Sequence, residues 1–187
     1  MPVVTSSDKM NRLETMRWGL VPSWSKEERV KFSTFNARDD KLMESSTWRR
    51  PFKSQRCIVP ASGYYAWKHE HGSRRGSPYY FRSVVSPFLA FAGLYDVWHG
   101  KDGRTLSSYT IITTQPNELA SSVHDRMPTI LSKEQYATWL NKASSEEVLL
   151  SLLKPFPISE MEAYEVGEQI SSELQHVPLP FTSENSK

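Results

Sequence analysis

Twelve prolines are spread through this chain of 187 residues, and they set the scale of anything it can build. Proline fixes φ and has no amide N–H, so it interrupts helices and is poorly accommodated inside sheets. A chain punctuated this often favours short strands and many turns over long helices. Six tryptophans are the second unusual count. Each needs an apolar wall and, when buried, a partner for its indole N–H.

Read in order, residues 1–15 are polar and predict a poorly ordered, partial N-terminus. Met16 to Val21 reads as a strand closed by Pro22-Ser23, with Trp24 just beyond. Asp39 or Asp40 suits a helix cap, and a helix continuing through Ser46 to Phe52 would break at Pro51. Pro78 to Phe81 and Phe88 to Tyr95 read as strands, and Asp96 to Arg104 as their next connection. Ser108 to Thr114, S-Y-T-I-I-T-T, is β-branched and alternating and predicts a strand. Asn117 to Ser122 suits a short helix. Ile130-Leu131 reads as a strand, and Ser132 with Gln135 has the spacing of a capping box. Glu146 to Leu153 predicts a helix and Ala163 to Val166 a last strand. The predicted class is α+β: a mainly antiparallel, curved or barrel-like sheet with short peripheral helices. A single domain over 16–170 and a flexible tail over 171–187 complete this organisation.

The composition excludes several functions. A net charge of +2 offers no polycationic tail, so nucleic-acid contact must come from a local patch. One cysteine excludes an internal disulfide framework and a Cys-rich zinc site. No apolar run approaches the roughly 20 residues needed to span a bilayer, and no secretory pattern opens the chain. An intracellular monomer without cofactor is the expectation, nucleus and cytosol being inseparable here. His69 and His71 share a charged loop without an evident third ligand, so no metal is expected.

The stretch Cys57 to Trp67, C-I-V-P-A-S-G-Y-Y-A-W, concentrates the functional signal. Cys57-Ile58-Val59 is a buried-strand run that Pro60 should end. Gly63 permits a turn, and Tyr64, Tyr65 and Trp67 follow. This describes either a displayed site or an ordinary hairpin corner with core aromatics. Asn36 and Arg38 alternate with Phe35 and Ala37, so on a strand they share one face, able to hold a phosphate or carbonyl oxygen or simply solvated. His124, with Arg126 two residues on, suits a general acid beside an anion contact, or a loop histidine bonded to backbone. Tryptophans interleaved with arginines match what single-stranded nucleic acid requires, although aromatics more often fill cores. A peptidase built on Cys57 and His124 is disfavoured, since buried strand thiols are inert.

Five motifs occur together: R-W-G-L-V-P-S-W (17–24), F-N-A-R (35–38), R-C-I-V-P-A-S-G-Y-Y-A-W (56–67), Y-T-I-I-T-T (109–114) and H-D-R-M-P-T-I-L (124–131). In this order and spacing they resemble the SRAP family, the SOS-response-associated peptidases, also called abasic-site processing proteins. The resemblance implies a mainly β fold whose positive channel holds single-stranded DNA containing abasic sites. It also implies an N-terminal cysteine whose amine and thiol close a thiazolidine crosslink on the opened sugar. Asn36 matches the asparagine beside that sugar, and His124 the acid/base histidine. Trp24, Arg38, Trp67, Thr113 and Arg126 match DNA-channel positions.

Two departures accompany the match. Where the family begins M-C-G-R, this sequence begins M-P-V-V and reaches R-W-G-L-V-P by residue 17. It therefore lacks the nucleophilic cysteine, and a sheet edge left unpaired by missing first strands is expected. Where the family has a proton-transferring glutamate, this chain has Ala66, a degenerate catalytic position. An alternative to catalysis is thus a remnant that binds single-stranded DNA or serves as an interaction module.

Overall fold

The computed structural model describes residues 1–7, 10–69 and 76–166, so the tail expected over 171–187 lies outside the described residues. In chain order the elements are β1 (Pro2–Ser7), β2 (Met10–Thr15), β3 (Arg17–Trp18), β4 (Asn36–Arg38), α1 (Arg49–Ser54), β5 (Arg56–Ala61), β6 (Tyr64–Lys68) and β7 (Ser77–Ser83). There follow β8 (Leu89–His99), β9 (Thr105–Thr114), α2 (Glu118–Ser121), β10 (Met127–Pro128), α3 (Tyr136–Leu140), α4 (Glu146–Ser151) and β11 (Met161–Glu165). The expected α+β class holds. Among the described residues an eight-stranded curled sheet runs β10-β9-β8-β5-β1-β2, with β3 and β4 also on β9, and a three-stranded sheet runs β11-β7-β6.

The period-two alternation of β9 organises the molecule. Tyr109 and Ile111 face one core, where Val3, Cys57, Val59 and Phe91 meet Tyr64, Ala66, Phe81 and Met161 of the small sheet. Ile112 faces the other, where Ile58, Ala92 and Leu94 meet Trp48, Phe52, Trp139, Leu140 and Leu149 from the short helices. The large sheet is therefore buried on both faces, helices on one side and the small sheet on the other. That explains why its strands read as continuous apolar runs.

Five expectations need correction. Residues 2–7 and 10–15 are ordered, not frayed: β1 and β2 pair antiparallel from Pro2↔Thr15 to Ser7↔Met10, and Val4 pairs with Ile58 of β5. Val3 and Val4 reach opposite cores, while Met1 bonds Met16 through both its amine and its carbonyl. Burial of the first strand on both faces supplies the anchor that the polar second strand lacks. As β2 ends the sheet, Met10 and Leu13 are exposed.

Pro60 does not end its strand but pairs with Ala90 inside it. The Ala90 carbonyl accepts from Leu131 on the far side of β8. Pro60↔Ala90 is thus a non-hydrogen-bonded pair, and the proline nitrogen faces the β1 side, where the ladder reaches only Ile58. Pro51 likewise breaks nothing: it is the third residue of α1, in the first turn, where an N–H would have no helical partner. Residues Asp96–His99 extend β8 rather than forming a connection, and Asp39–Lys41 make only a 3-10 turn.

β8 and β9 pair from His99↔Thr105 to Gly93↔Ile111 and then separate. Segment 127–131 enters the gap. The Thr129 N–H donates to Ile112 O (2.8 Å), Ala92 N–H donates to Thr129 O (2.9 Å), and Leu131 N–H donates to Ala90 O (2.8 Å). The motif carrying His124 and Arg126 is thereby fixed to the centre of the sheet.

Candidate nucleic-acid interface

The end of β9 gathers most of the residues singled out from sequence. β4 lies parallel to it, with Asn36 opposite Ile111 and Arg38 opposite Thr113. Asn36 and Arg38 therefore share the face of Ile111 and Thr113, the face toward the small sheet, while Ala37 enters the helix-side core. On the other edge of β9, Pro128 pairs with Thr113.

Arg126 reaches back across this pairing. Its Nη2 donates to Asp39 Oδ1 (2.5 Å) and to the Thr113 carbonyl, with Thr113 Oγ1 at 3.5 Å. The side chain is 8% exposed, and its Nε and Nη1 are buried without a hydrogen-bond partner, as is Asn36 Oδ1. Buried polar groups left unpaired cost about 1–3 kcal/mol each, so these atoms call for a partner, water or ligand, beyond the described protein atoms.

Arg38 behaves differently. It is about half exposed and grips Asp40 through Nε (3.0 Å) and Nη2 (2.9 Å). The bond to Arg38 holds the Asp40 carboxyl below the usual carboxylate range and raises the guanidinium in return. Asp39 and Asp40, expected as helix caps, are thus partners of the two arginines. The adjacent N-A-R-D-D spelling was the available signal, but only the fold shows that Asp39 reaches Arg126.

His124 follows α2, whose N-cap Asn117 accepts from Ala120 N–H (2.9 Å) and donates to Phe156 O (2.8 Å). The imidazole Nδ1 receives the Arg126 amide at 3.1 Å and lies 2.9 Å from Asp125 Oδ1. The amide needs a lone pair on Nδ1, and the carboxylate needs a proton there. The neutral ring with its proton on Nε2 satisfies the first, and a ring protonated on Nδ1, either the other neutral tautomer or the imidazolium, satisfies the second. A proton donor two residues from the incomplete guanidinium can serve acid/base chemistry on an oxygen held there.

The other positions are not drawn into contact with this cluster. Trp24 is 57% exposed on the Pro22–Ser25 turn, which is anchored by Val21 N–H to Ser108 Oγ and Ser23 N–H to Asp96 Oδ2, both at 2.8 Å. Trp67 is buried at 8% exposure, leaving little ring face for a base. Ala66 is buried in the core that contains Ile111 and Met127, and its methyl group can transfer no proton. Cys57 is fully buried, and burial raises its thiol far above the ordinary value. Beside Asn36, a groove of about 770 Å³ runs between Trp18, Phe32 and Phe35. Among the described residues no cluster of potential metal ligands occurs, and no helix is long and apolar enough to cross a membrane.

Comparison with known proteins identifies the family. The family model for SOS response associated peptidase (SRAP) matches residues 1–173, the N-terminal hairpin included. The chain is 42% identical over 169 residues to the abasic site processing protein YoqW of Bacillus subtilis, covering 90% of this chain and 75% of that protein. It is 43% identical over 176 residues to YoaM of the same organism (94% and 77%), and 31% identical over 204 residues to HMCES of Rattus norvegicus (92% and 56%). Among solved structures, a protein from Bacteroides thetaiotaomicron superposes with a TM-score of 0.83 at 36% identity, covering 91% of this chain and 75% of that one. Its curled sheet, its motifs in their order and these relatives together place the chain in the SRAP family.

Proposed function

We propose that this protein processes abasic sites by recognising them in single-stranded DNA at the end of β9. An abasic nucleotide has no base to stack, so recognition must fall on its sugar and phosphates. The observation that carries this reading is the pair of incomplete groups on one face: the buried Arg126 with Nε and Nη1 unpartnered, and Asn36 with Oδ1 unpartnered. Guanidinium N–H groups suit a phosphate oxygen. A side-chain amide carbonyl suits a sugar hydroxyl. Arg38 adds an exposed cation beside them, Trp24 a ring face on which a neighbouring base can stack, and His124 a proton donor for sugar opening. The names of the relatives, abasic site processing proteins, support the substrate.

Neither Cys57 nor Ala66 can supply thiazolidine chemistry itself. Cys57 is the one cysteine, lies inside β5, and has no free α-amine. Ala66 removes the expected carboxylate. The test is binding of a labelled abasic oligonucleotide, followed by denaturing electrophoresis. Reversible binding is expected, with affinity falling as salt rises by about 0.7 log units per phosphate contact for each log unit of salt. It should weaken in Asn36→Ala and Arg126→Ala, and no heat-stable band should depend on Cys57. Failure to bind at low salt, or a heat-stable band abolished by Cys57→Ala, would refute it.

A further inference from the structure

Resting on that reading, we infer that Asp39 is a positioning residue: it fixes Arg126 through Nη2, so that Nε and Nη1 are the guanidinium nitrogens left, already ordered, for an acceptor on the incoming strand. Both hydrogens of Arg126 Nη2 are committed, one to Asp39 Oδ1 and one to the Thr113 carbonyl. The carboxylate is itself pinned. Its Oδ1 accepts the Asp40 amide (2.8 Å), and its Oδ2 accepts the Thr114 hydroxyl (2.7 Å). Thr114 is the last residue of β9 and 2% exposed, so the anchor is rigid. The guanidinium is therefore fixed on one side by backbone and on another by a carboxylate that cannot follow it away. Only Nε and Nη1 remain for an acceptor from outside.

Arg38 and Asp40 provide the internal contrast. That pair is bidentate but about half exposed on both members, so it can swivel and exchange with water. Asp39 and Arg126 are 20% and 8% exposed, and the position of the pair is set by β9. A long side chain ordered before binding spares the strand the cost of ordering it, on a scale near tenfold in affinity. The same aspartate places a negative charge beside a polyanion, which opposes binding. The two roles predict opposite signs, and that makes the inference sharp.

The experiment measures fluorescence anisotropy of an abasic single-stranded oligonucleotide across a salt series, with thermal unfolding of every variant. Asp39→Ala is expected to weaken binding by about tenfold despite deleting a negative charge. It should also flatten the salt slope by about 0.7, the loss of one phosphate contact, as Arg126→Ala does. Thr114→Val, which changes no charge, should shift both readouts the same way by a smaller factor, and Thr114→Ser should restore them. Asp39→Ala combined with Arg126→Ala should be no weaker than Arg126→Ala alone. If the wild type binds and Arg126→Ala weakens it, but the two strap variants bind as well or more tightly with unchanged slope, the inference fails and the reading of the site stands. If the wild type does not bind, both fail.

Discussion

Arg56 is the residue whose removal should hurt this fold most for its size. It is 4% exposed, and its hydrogen-bond partners among the described residues are all backbone carbonyls. Its Nε donates to Trp139 O, Nη1 to Phe52 O and Lys53 O, and Nη2 to Asn141 O, all at 2.7 Å. These carbonyls terminate α1 and α3, so one guanidinium closes two helix ends against the edge of β5. Four charge-assisted bonds at about 1.5–3 kcal/mol each give a gross figure of roughly 6–12 kcal/mol. Against it stands the desolvation of the cation, several kcal/mol, visible in the downward pull of burial on its ionisation. Water can also reach the carbonyls of the exposed residues Lys53 and Asn141 after truncation. The net expectation for Arg56→Ala is about 3–5 kcal/mol of lost stability, and a melting temperature lower by roughly 6–20 °C. Arg56→Lys should recover less than half, because three donors on a flexible stem cannot span carbonyls in three directions. Urea unfolding followed by tryptophan fluorescence reads both. A loss below about 1 kcal/mol for Arg56→Ala, or full recovery by lysine, would refute the reasoning.

The thiol of Cys57 should resist alkylation in the native protein at pH 8 and react at the rate of global unfolding. Its raised ionisation keeps it neutral when folded, whereas the unfolded thiol ionises near 8.5. Stability should therefore be intact below that value and fall as pH rises above it, by up to about 1.4 kcal/mol per pH unit from this group. Fast labelling of folded protein would contradict its burial. Gly93→Ala should cost about 1–3 kcal/mol, since its Cβ would lie 2.8 Å from Cys57 Sγ and 3.0 Å from Val59 Cγ2. Combining it with Cys57→Ala should cost less than the sum of the two, as double-mutant unfolding curves would show.

Much of this fold could be read from local chemistry. The β-branched alternation of Ser108 to Thr114 marks β9, and the Ser132/Gln135 capping box forms as its spacing implies. What failed depended on distant partners. The N-terminal hairpin reads as polar because β2 is solvated, and its anchor, Val4 on Ile58, is 54 residues away in sequence. Pro60 reads as a terminator because nothing local says which way its nitrogen will face. In the site, the shared face of Asn36 and Arg38 follows from alternation alone. The grip of Asp39 on Arg126 spans 87 residues and exists only once β4 and β10 flank the same strand. The shallow exposure of Trp67 was equally invisible, since alternation assigns a face but not what covers it.

The insertion of 127–131 between β8 and β9 has a kinetic consequence. Thr129 is bonded to both neighbouring strands, and Leu131 and Ala92 extend the same seam. His124 and Arg126 therefore cannot swing aside as a lid does, because displacing them would unzip the middle of the large sheet. Amide protons along Arg126–Leu131 should exchange by the same slow global openings as those of β9, not by local fluctuation. On the function proposed above, a DNA strand would be laid across a finished edge, and the larger conformational adjustment would fall to the DNA.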